Sequence, residues 1–210
     1  AHLASWEPMT TTRVYAGDGR LMTEYAREPR IFVPSSAIPE KLKQAFIATE
    51  DQNFFSHYGV DPVAIGRALW ANLMRGGVVQ GGSTITQQLA KNLFYSPQRT
   101  MERKLREVVA AFVMEWKYRK EEILESYLNE IYLGQAGSVS IYGIGEAAHR
   151  YFAKPLEALS IEEIALVAGL IKGPNTYSPT KNLEHATLRR NVVLRRLRDD
   201  GADAAILCPL

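Results

Sequence analysis

The spacing of apolar residues changes near residue 36 of the 210 in the chain. Before that point, short apolar runs flank a Gly-Asp-Gly turn at residues 17–19, which predicts a β-hairpin over residues 12–25. A third strand is predicted at residues 30–33, just ahead of Pro34. After residue 36, apolar residues recur every three or four positions, as they do in amphipathic helices. The pattern therefore predicts a mainly α chain with a small β lead-in.

Start and stop signals divide the helical region into separate elements. Proline or a Ser/Thr/Asp cap marks several starts, Ser160 and Glu163 form a capping box, and glycines mark ends. The predicted helices cover residues 39–50, 61–76, 84–94, 96 or 100–118, 123–132, 143–152, 160–171 and 183–198. The apolar side of the longest one consists of Leu105, Val108, Val109, Phe112, Val113 and Trp116.

Composition narrows the class of protein. Hydrophobic residues make up 46% and charged residues 23%, which is typical of one globular core. The net charge of +2 gives no global field for nucleic acid, so no nucleic-acid partner is expected. The single cysteine, Cys208, excludes an intramolecular disulfide framework. No apolar run approaches the roughly 20 residues that cross a bilayer, and we expect the chain to be part of a longer protein.

Two acids end the first predicted helix and open a polar, aromatic segment at residues 50–59. Glu50 and Asp51 oppose the helix macrodipole there, and a carboxylate in such a place beside aromatic rings suits a general base. His57 and Gly59 follow in the same segment. A pair of solvated loop acids is the plainer interpretation of these residues.

Residues 81–92 read Gly-Gly-Ser-Thr-Ile-Thr-Gln-Gln-Leu-Ala-Lys-Asn. The glycines allow a backbone to approach a ligand, and the Ser/Thr-rich helix start offers N–H groups to an anion. Lys91 lies about two helical turns after Thr84 and on the same face. An ordinary glycine turn followed by a helix cap at Ser83 or Thr84 accounts for the same pattern.

Basic residues concentrate in the middle of the chain. Between Lys91 and Lys120, eight basic and three acidic side chains give a local charge of +5. Arg99, Arg103 and Glu107 follow at four-residue intervals and so share one side of a helix. Two guanidinium groups with a carboxylate suit a pyrophosphate, with or without a divalent ion. A solvated helix face laced by a surface ion pair is the alternative.

The segment at residues 60–81 carries more apolar surface than one helix face usually buries. Such a segment is compatible with insertion into a lipid interface, with flanking arginines at headgroup level, and the family resemblance described below favours this interpretation. Ordinary core packing is the alternative. The predicted membrane-contacting residues are Leu69, Trp70, Leu73 and Met74.

Two other chemistries fit the sequence poorly. The histidines His2, His57, His149 and His185 are scattered and have no cysteine cluster beside them, which argues against zinc. Ser83 lies outside any G-x-S-x-G setting, which argues against a serine hydrolase.

Four ordered motifs resemble those of glycosyltransferase family 51. E-D-x-x-F-x-x-H-x-G matches residues 50–59, G-G-S-T-I-T-Q-Q matches residues 81–88, R-K-x-x-E matches residues 103–107, and K-x-x-I-L-x-x-Y-L-N matches residues 120–129. The similarity extends over about residues 38–197. Four motifs in this order are very unlikely to agree by chance, so the resemblance is specific.

The resemblance implies a mainly α, lysozyme-like, two-lobed helical domain with a small N-terminal β-hairpin. Residues 60–81 would belong to the smaller lobe, an apolar jaw in the membrane surface. The implied organisation is a β-type lead-in at residues 1–36, a glycosyltransferase domain at residues 37–200, and the start of a linker at residues 201–210.

The resemblance also implies a reaction. A growing glycan on undecaprenyl pyrophosphate is the donor and lipid II is the acceptor. Glu50 removes the proton from the acceptor's 4-hydroxyl, which attacks the donor's anomeric carbon with inversion and forms a β-1,4 bond. Glu107 matches a second family glutamate, which helps to hold the pyrophosphate through Mg²⁺ or Mn²⁺ or orients basic residues.

The remaining site residues follow from the same resemblance. Charge on the leaving group would be neutralised by Lys91, Arg99, Arg103 and Lys104. Substrate contacts are expected from Ser83, Gln88 and Asn92, with Glu122 as a further candidate at the same site. Moenomycin, a phosphoglycolipid, inhibits this family.

The lead-in resembles that of bifunctional class A penicillin-binding proteins. An N-terminal membrane anchor and a C-terminal transpeptidase domain, both absent from this chain, are therefore expected. The domain would act on the extracytoplasmic face of the bacterial cytoplasmic membrane. The link at residues 135–140 is longer than in many relatives, which puts substrate contacts there in doubt.

The sequence leaves two other functions open. A lysozyme-like muramidase or lytic enzyme shares a catalytic glutamate but does not need an anion cradle. A non-enzymatic scaffold would bind the lipid carrier without turning it over.

Overall fold

The computed structural model describes residues 12–15, 17–18, 21–25, 30–76, 81–94, 100–137 and 139–200. These residues form a mostly helical structure. The α-helices are α1 (Glu40–Glu50), α2 (Pro62–Arg75), α3 (Ile85–Phe94), α4 (Met101–Lys117), α5 (Lys120–Glu130), α6 (Gly143–Phe152), α7 (Ile161–Leu170) and α8 (Leu183–Asp199). Two separate antiparallel hairpins pair β1 (Thr12–Tyr15) with β2 (Leu21–Tyr25) and β3 (Tyr132–Ala136) with β4 (Val139–Tyr142).

Most of the predicted elements are confirmed within one or two residues. The hairpin at residues 12–25 is present as β1 and β2. Asp61 caps α2 and Gly76 ends it in the left-handed conformation, as the sequence signals predict. Thr100 caps α4, and the capping box of Ser160 and Glu163 opens α7. The alternative start of α4 at residue 96 lies outside the described residues.

The predicted third strand at residues 30–33 is wrong. Val33 does not join a sheet, because the side chain of Asn129 forms hydrogen bonds with both its backbone N–H and its carbonyl. The N–H of Val33 donates to Oδ1 of Asn129 at 2.8 Å, and Nδ2 of Asn129 donates to the carbonyl of Val33 at 2.9 Å. A side-chain amide therefore satisfies the backbone N–H and carbonyl groups in a segment whose composition indicates a strand.

The predicted helix over residues 123–132 also differs from the structure. Helix α5 ends at Glu130, and Tyr132 begins β3 instead of completing an apolar helix face. The carbonyl of Ile131 accepts a hydrogen bond from the N–H of Gly143, at the open end of the second hairpin. The β-branched residues Val139 and Ile141 favour the strand that pairs there.

The chain divides into two compact units, of which the first contains residues 1–45 and 128–210. In this unit α7 packs against α8, and α6 packs against α7 and the second hairpin. Its core is apolar and includes Leu42, Leu133, Ile144, Val167 and Val193. Hydrophobic burial of these faces stabilises the unit.

The second unit contains residues 46–127, and α3 packs against α4 within it. Its core holds Phe46, Phe54, Ile85, Leu89 and Tyr127, all fully buried. The rings of Phe46 and Tyr127 meet edge to face with centroids 6.4 Å apart. Every predicted site residue that the structure describes lies in this unit.

The apolar side of α4 does not pack on the core. Its buried residues are Glu107, Ala111 and Met114. The apolar stripe is exposed instead, with Leu105 at 66% and Trp116 at 84% of full exposure. The reason is that the small side chain of Ala111 and the paired carboxylate of Glu107 form the packed side.

The proposed domain boundaries stay predictions. Residues 1–11 of the lead-in and residues 201–210 of the expected linker lie outside the described residues. The jaw region at residues 60–81 falls within the second unit, and its residues 77–80 also lie outside the described part. Among the described residues, no helix is both long and apolar enough to span a membrane.

Candidate active site

Glu50 is held by an amide from the neighbouring helix. It is the last residue of α1 and is partly exposed. Nε2 of Gln88, on α3, donates a hydrogen bond to Oε2 of Glu50 at 3.0 Å. An amide N–H facing a carboxylate oxygen suits the ionised, accepting form of the acid. The side chain that the sequence predicts as the base is therefore oriented by one predicted as a substrate contact.

Gln88 is itself oriented by Tyr127. The phenol of Tyr127 donates to Oε1 of Gln88 at 3.1 Å and so fixes which end of the amide faces Glu50. Burial, and then the nearby charges of Glu50 and Asp51, raise the pKa of Tyr127 well above its ordinary value of 10.0. The phenol therefore keeps its proton and remains a donor at neutral pH.

Asp51 anchors the segment that follows Glu50. Its carboxylate oxygens lie 2.9 and 3.0 Å from Nε2 of His57, and one of them accepts from the N–H of Ile85 at 2.9 Å. Asp51 and His57 are both buried. Because Ile85 is the first residue of α3, Asp51 ties the end of α1 to the start of α3.

Gly59, the last position of the first motif, allows this segment to pack tightly. Its φ is +80°, and a Cβ there would lie 3.0 Å from the backbone carbonyl of Ala111 on α4. The carbonyl of Gly59 accepts a hydrogen bond of 2.6 Å from Oγ1 of Thr84. Any side chain at position 59 would thus strain the backbone and push α4 away.

The sequence predicts that Gly81 and Gly82 allow the backbone to approach a ligand, whereas Gly82 allows it to approach another helix. A Cβ at Gly82 would lie 3.0 Å from Cα of Ile65, so the close approach is to α2. Gly81 has open space around it. Thr84 then caps α3, since its hydroxyl accepts from the N–H of Gln87 at 3.2 Å while Oε1 of Gln87 accepts from the N–H of Thr84 at 3.3 Å.

A second cluster surrounds Glu107 on α4. Glu107 is buried, with Nε of Arg103 at 3.3 Å and Nζ of Lys104 at 3.2 Å from its carboxylate oxygens. Nζ of Lys104 also donates to Oγ of Ser83 at 2.9 Å. One buried carboxylate therefore positions two cations, and one of these cations reaches the start of α3.

Helix α3 connects the two clusters. Ser83, beside Lys104, precedes the helix by two residues, and Gln88, beside Glu50, lies in its first turns. A carboxylate that can take a proton and a pair of oriented cations thus meet at the N-terminal end of α3, one through Gln88 in the helix and the other through Ser83 just before it.

The remaining predicted site residues are Lys91, Asn92, Arg99 and Glu122. Lys91 and Asn92 are exposed on α3 and follow Gln88 by three and four residues, on the same helix face. Arg99 lies outside the described residues. Glu122 is exposed and accepts from the backbone N–H of Arg119 at 2.7 Å, so it caps the start of α5. The structure does not bring Glu122 to the contacts around Glu50 or Glu107.

The residues around Glu107 do not form a complete metal site. No group of three histidine, cysteine, aspartate or glutamate side chains in the described part of the chain is placed to hold an ion. The carboxylate of Glu107 already faces Arg103 and Lys104. Mg²⁺ held here would need substrate phosphates as its other ligands, a common arrangement for this ion.

The predicted membrane-contacting residues form an exposed apolar surface on α2. Trp70 is 67% exposed and Leu73 is 76% exposed, and Leu69 and Met74 are similarly open. Ordinary core packing of these side chains, the alternative considered from the sequence, is therefore wrong. Ala68 is the buried residue of the helix.

The start of α2 is fixed by Asp61. Its carboxylate accepts from the N–H of Ala64 at 2.9 Å and from Nδ2 of Asn53 at 2.8 Å. Burial opposes ionisation of Asp61, but these hydrogen bonds outweigh it and lower its pKa below the ordinary value of 3.8. The loop that follows Glu50 is thereby attached to the exposed helix.

Three residues have positioning roles that the sequence pattern does not reveal. Tyr127 lies in a motif at residues 120–129, and its buried hydroxyl requires a hydrogen-bond partner that the motif does not identify. The other two are Asp51 and His57, whose side chains bond each other. Their six-residue spacing gives no indication that the side chains meet, because the intervening residues form turns and not a helix.

Comparisons with known proteins identify the family of this chain. The sequence model of the family described as Transglycosylase matches residues 18–198. Penicillin-binding protein 1B of Vibrio cholerae is 49% identical over 172 residues, which cover 82% of this chain and 22% of that protein. Penicillin-binding protein 1A of Escherichia coli is 48% identical over 189 residues, which cover 90% of this chain and 22% of that protein.

A third relative and a solved structure extend the similarity. Penicillin-binding protein 1A of Aquifex aeolicus is 47% identical over 199 residues, covering 95% of this chain and 27% of that protein. The crystal structure of penicillin-binding protein 1A from Haemophilus influenzae matches with a TM-score of 0.53 and 28% identity, over 98% of this chain and 21% of that one. The chain spans about a quarter of the length of these relatives. It belongs to the transglycosylase family.

Proposed function

We propose that the chain polymerises the glycan strands of peptidoglycan from lipid II, with Glu50 as the catalytic base. The observation that carries this proposal is the attachment of Glu50 and of the Lys104–Glu107 cluster to the same helix, α3. Family membership supports a glycosyl transfer. The contacts of the two clusters support a division of labour between proton removal and anion binding.

The first half of the reaction takes place at Glu50. Its carboxylate accepts the proton of the 4-hydroxyl of the acceptor sugar as that oxygen attacks the anomeric carbon of the donor. The new C–O bond forms on the face opposite the departing pyrophosphate, so the anomeric configuration inverts to β. Gln88 holds the carboxylate by its amide and so limits the orientations that the base can adopt.

The second half concerns the leaving group. As the bond between the anomeric carbon and the pyrophosphate oxygen breaks, that oxygen gains negative charge. Lys104 and Arg103, held in place by buried Glu107, would stabilise this charge without first having to reorganise. Lys91 and Asn92, on the exposed face of α3 beyond Gln88, extend the contacts toward the substrates, and we assign Arg99 to the same task.

In the proposed reaction, Mg²⁺ or Mn²⁺ would be bound only together with the pyrophosphate. Glu107 would be the one carboxylate near it, and no step above depends on the ion. Glu122 is retained only as a residue that caps α5.

The substrates explain the exposed apolar surface of α2. Donor and acceptor both carry undecaprenyl tails, so the protein must meet them at a bilayer surface. Trp70, Leu73 and their neighbours would enter the interface of the bacterial cytoplasmic membrane on its outer, extracytoplasmic face. We further propose that the full-length protein joins this domain to a membrane anchor and a transpeptidase domain, in line with the longer relatives.

A polymerisation assay separates this function from its rivals. The chain is incubated with purified lipid II in one reaction and with preformed, uncrosslinked glycan strands in another, and products are sized by gel electrophoresis. We expect long glycans from lipid II, suppressed by moenomycin, and no shortening of preformed strands. Shortened strands would identify a muramidase, and unchanged substrates in both reactions would indicate a scaffold.

A further inference from the structure

A separate cavity lies in the second unit, between the loop after Glu50 and the junction of α4 and α5. Its volume is about 480 Å³, within the roughly 300–1,000 Å³ typical of small-molecule sites. Glu50, Ser83 and Lys104 are not among its walls. The cavity therefore has no part in the glycosyl transfer described above.

His57 forms one wall of the cavity and has an unused polar atom. Its side chain is 6% exposed, and its Nε2 lies against Asp51. The other ring nitrogen, Nδ1, is buried and makes no hydrogen bond within the described residues. A buried imidazole nitrogen without a partner is costly, so the ring of His57 is an energetically unfavourable part of this wall.

Three basic and two acidic side chains line the cavity. The bases are Lys117, Arg119 and Lys120, and Nε of Arg119 lies 3.6 Å from Glu122, which is outside the walls. The side chain of Glu115 is 4% exposed and already committed, since it accepts from Lys120 at 2.7 Å and from Thr86 at 2.6 Å. Lys117 has no ion-pair partner in the part of the chain that the structure describes. The arrangement suits an anion that accepts several hydrogen bonds.

The rim of the cavity is aromatic and continues the exposed stripe of α4. Trp116 is 84% exposed and Tyr58 is 79% exposed, and both line the cavity. Trp116 also ends the apolar stripe that begins at Leu105. Tryptophan and tyrosine beside basic residues are typical of the headgroup level of a membrane.

We propose that this cavity binds the phosphate of an anionic phospholipid headgroup while the exposed face of α4 lies against acyl chains. The phosphate oxygens accept from the side chains of Lys117 and Arg119, and the ring of His57 lies in the wall beside them. The site would hold the domain on anionic membranes at a second point, apart from the surface of α2. The inference rests on the proposed function in so far as that function places the domain on a bilayer.

Vesicle binding tests the site. Partition of the chain is measured on phosphatidylcholine vesicles and on vesicles in which one third of the lipid is phosphatidylglycerol. The test variant is Lys117→Ala combined with Arg119→Ala, which keeps the backbone N–H that bonds Glu122. The charge-matched control is Lys172→Ala combined with Lys181→Ala, at exposed positions in the first unit.

The site predicts a loss confined to anionic vesicles. Each removed cation lowers partition about fivefold, so the test variant binds phosphatidylglycerol vesicles roughly 25-fold more weakly. The control binds nearly as well as the unchanged chain. Equal losses in the two variants, or no loss in either, would overturn the proposal, because binding would then reflect overall charge or another surface.

A second measurement tests the role of His57. The NMR signals of its ring should shift on addition of phosphatidylglycerol with six-carbon chains, and much less with inorganic phosphate at the same concentration. Unshifted ring signals, or equal shifts with both ligands, would contradict a lipid site. Neither measurement requires turnover, so a chain that binds anionic vesicles in this way and fails to polymerise lipid II would contradict only the proposed function.

Discussion

Tyr127 and Gln88 are joined by a hydrogen bond of 3.1 Å in which the buried phenol donates to the amide oxygen. The amide nitrogen of Gln88 is thereby left to face Glu50. A fully buried tyrosine from α5 thus determines the orientation of the group that holds the base. This hydrogen bond connects Tyr127, whose motif in the sequence indicates a structural role, to the proposed base Glu50 at the end of α1.

Replacing the phenol tests this link. Tyr127→Phe should lower kcat about two- to tenfold with little change in KM, because one neutral hydrogen bond contributes roughly 0.5–1.5 kcal/mol. The check is steady-state polymerisation of lipid II, with Tyr177→Phe in the first unit as the matched control. An unchanged kcat would show that Gln88 keeps its orientation without Tyr127.

The role of Glu107 can be separated from the general effect of removing a charge on α4. Glu107→Gln should reduce kcat/KM by at least tenfold, because Arg103 and Lys104 lose the carboxylate that fixes them. Glu102→Gln is the control, since Glu102 pairs with Arg106 on the surface of the same helix. Thermal unfolding should show a lower Tm for Glu107→Gln only. Equal activity of the two variants would contradict the positioning role.

The exposed surface of α2 leads to a prediction for membrane binding. Leu73→Ser should weaken partition onto phosphatidylcholine vesicles about tenfold, since burial of a leucine side chain contributes about 1.5–3 kcal/mol. Leu183→Ser, at a leucine that is 67% exposed on α8, is the matched control and should have little effect. Partition is measured by vesicle sedimentation. The same loss in both variants would argue against a specific membrane-facing surface.

Asp61 gives a pH-dependent prediction. Asp61→Ala should lower the free energy of unfolding by about 0.5–2 kcal/mol at pH 7, because the cap of α2 is lost. The pKa of Asp61 is lower in the folded chain than its ordinary value of 3.8, so its stabilising effect is present above that pH and disappears as the pH falls further. Urea unfolding at pH 7 and pH 3 should show the difference shrinking. A difference that grows on acidification would contradict this explanation.

Local signals in the sequence predict much of the fold. Asp61, Gly76, Thr100 and Ser160 mark helix ends by backbone chemistry that depends on a few neighbouring residues, and the structure confirms each of them. The strand predicted at Val33 is wrong because Asn129, 96 residues away, satisfies its backbone. A hydrogen-bond partner so distant in the sequence cannot be predicted from the pattern of neighbouring residues.

The same distinction applies to the site. Glu50, Ser83, Gln88, Lys104 and Glu107 were identified by motif, and the structure supplies the contacts that group them. Helical periodicity identifies the apolar stripe of α4 without saying what covers it. Only the burial of Ala111 and Glu107 shows that the opposite side is packed.

The central claim is that Glu50 is the base of a glycan polymerase, and Glu50→Gln tests it most directly. Initial rates of lipid II polymerisation are compared for the two chains at neutral pH, and thermal unfolding confirms that the fold is intact. We predict a rate at least about 100-fold lower with an unchanged Tm, because general-base catalysis contributes roughly 10²–10⁴-fold. A rate within about twofold of the unchanged chain would contradict the assignment of Glu50.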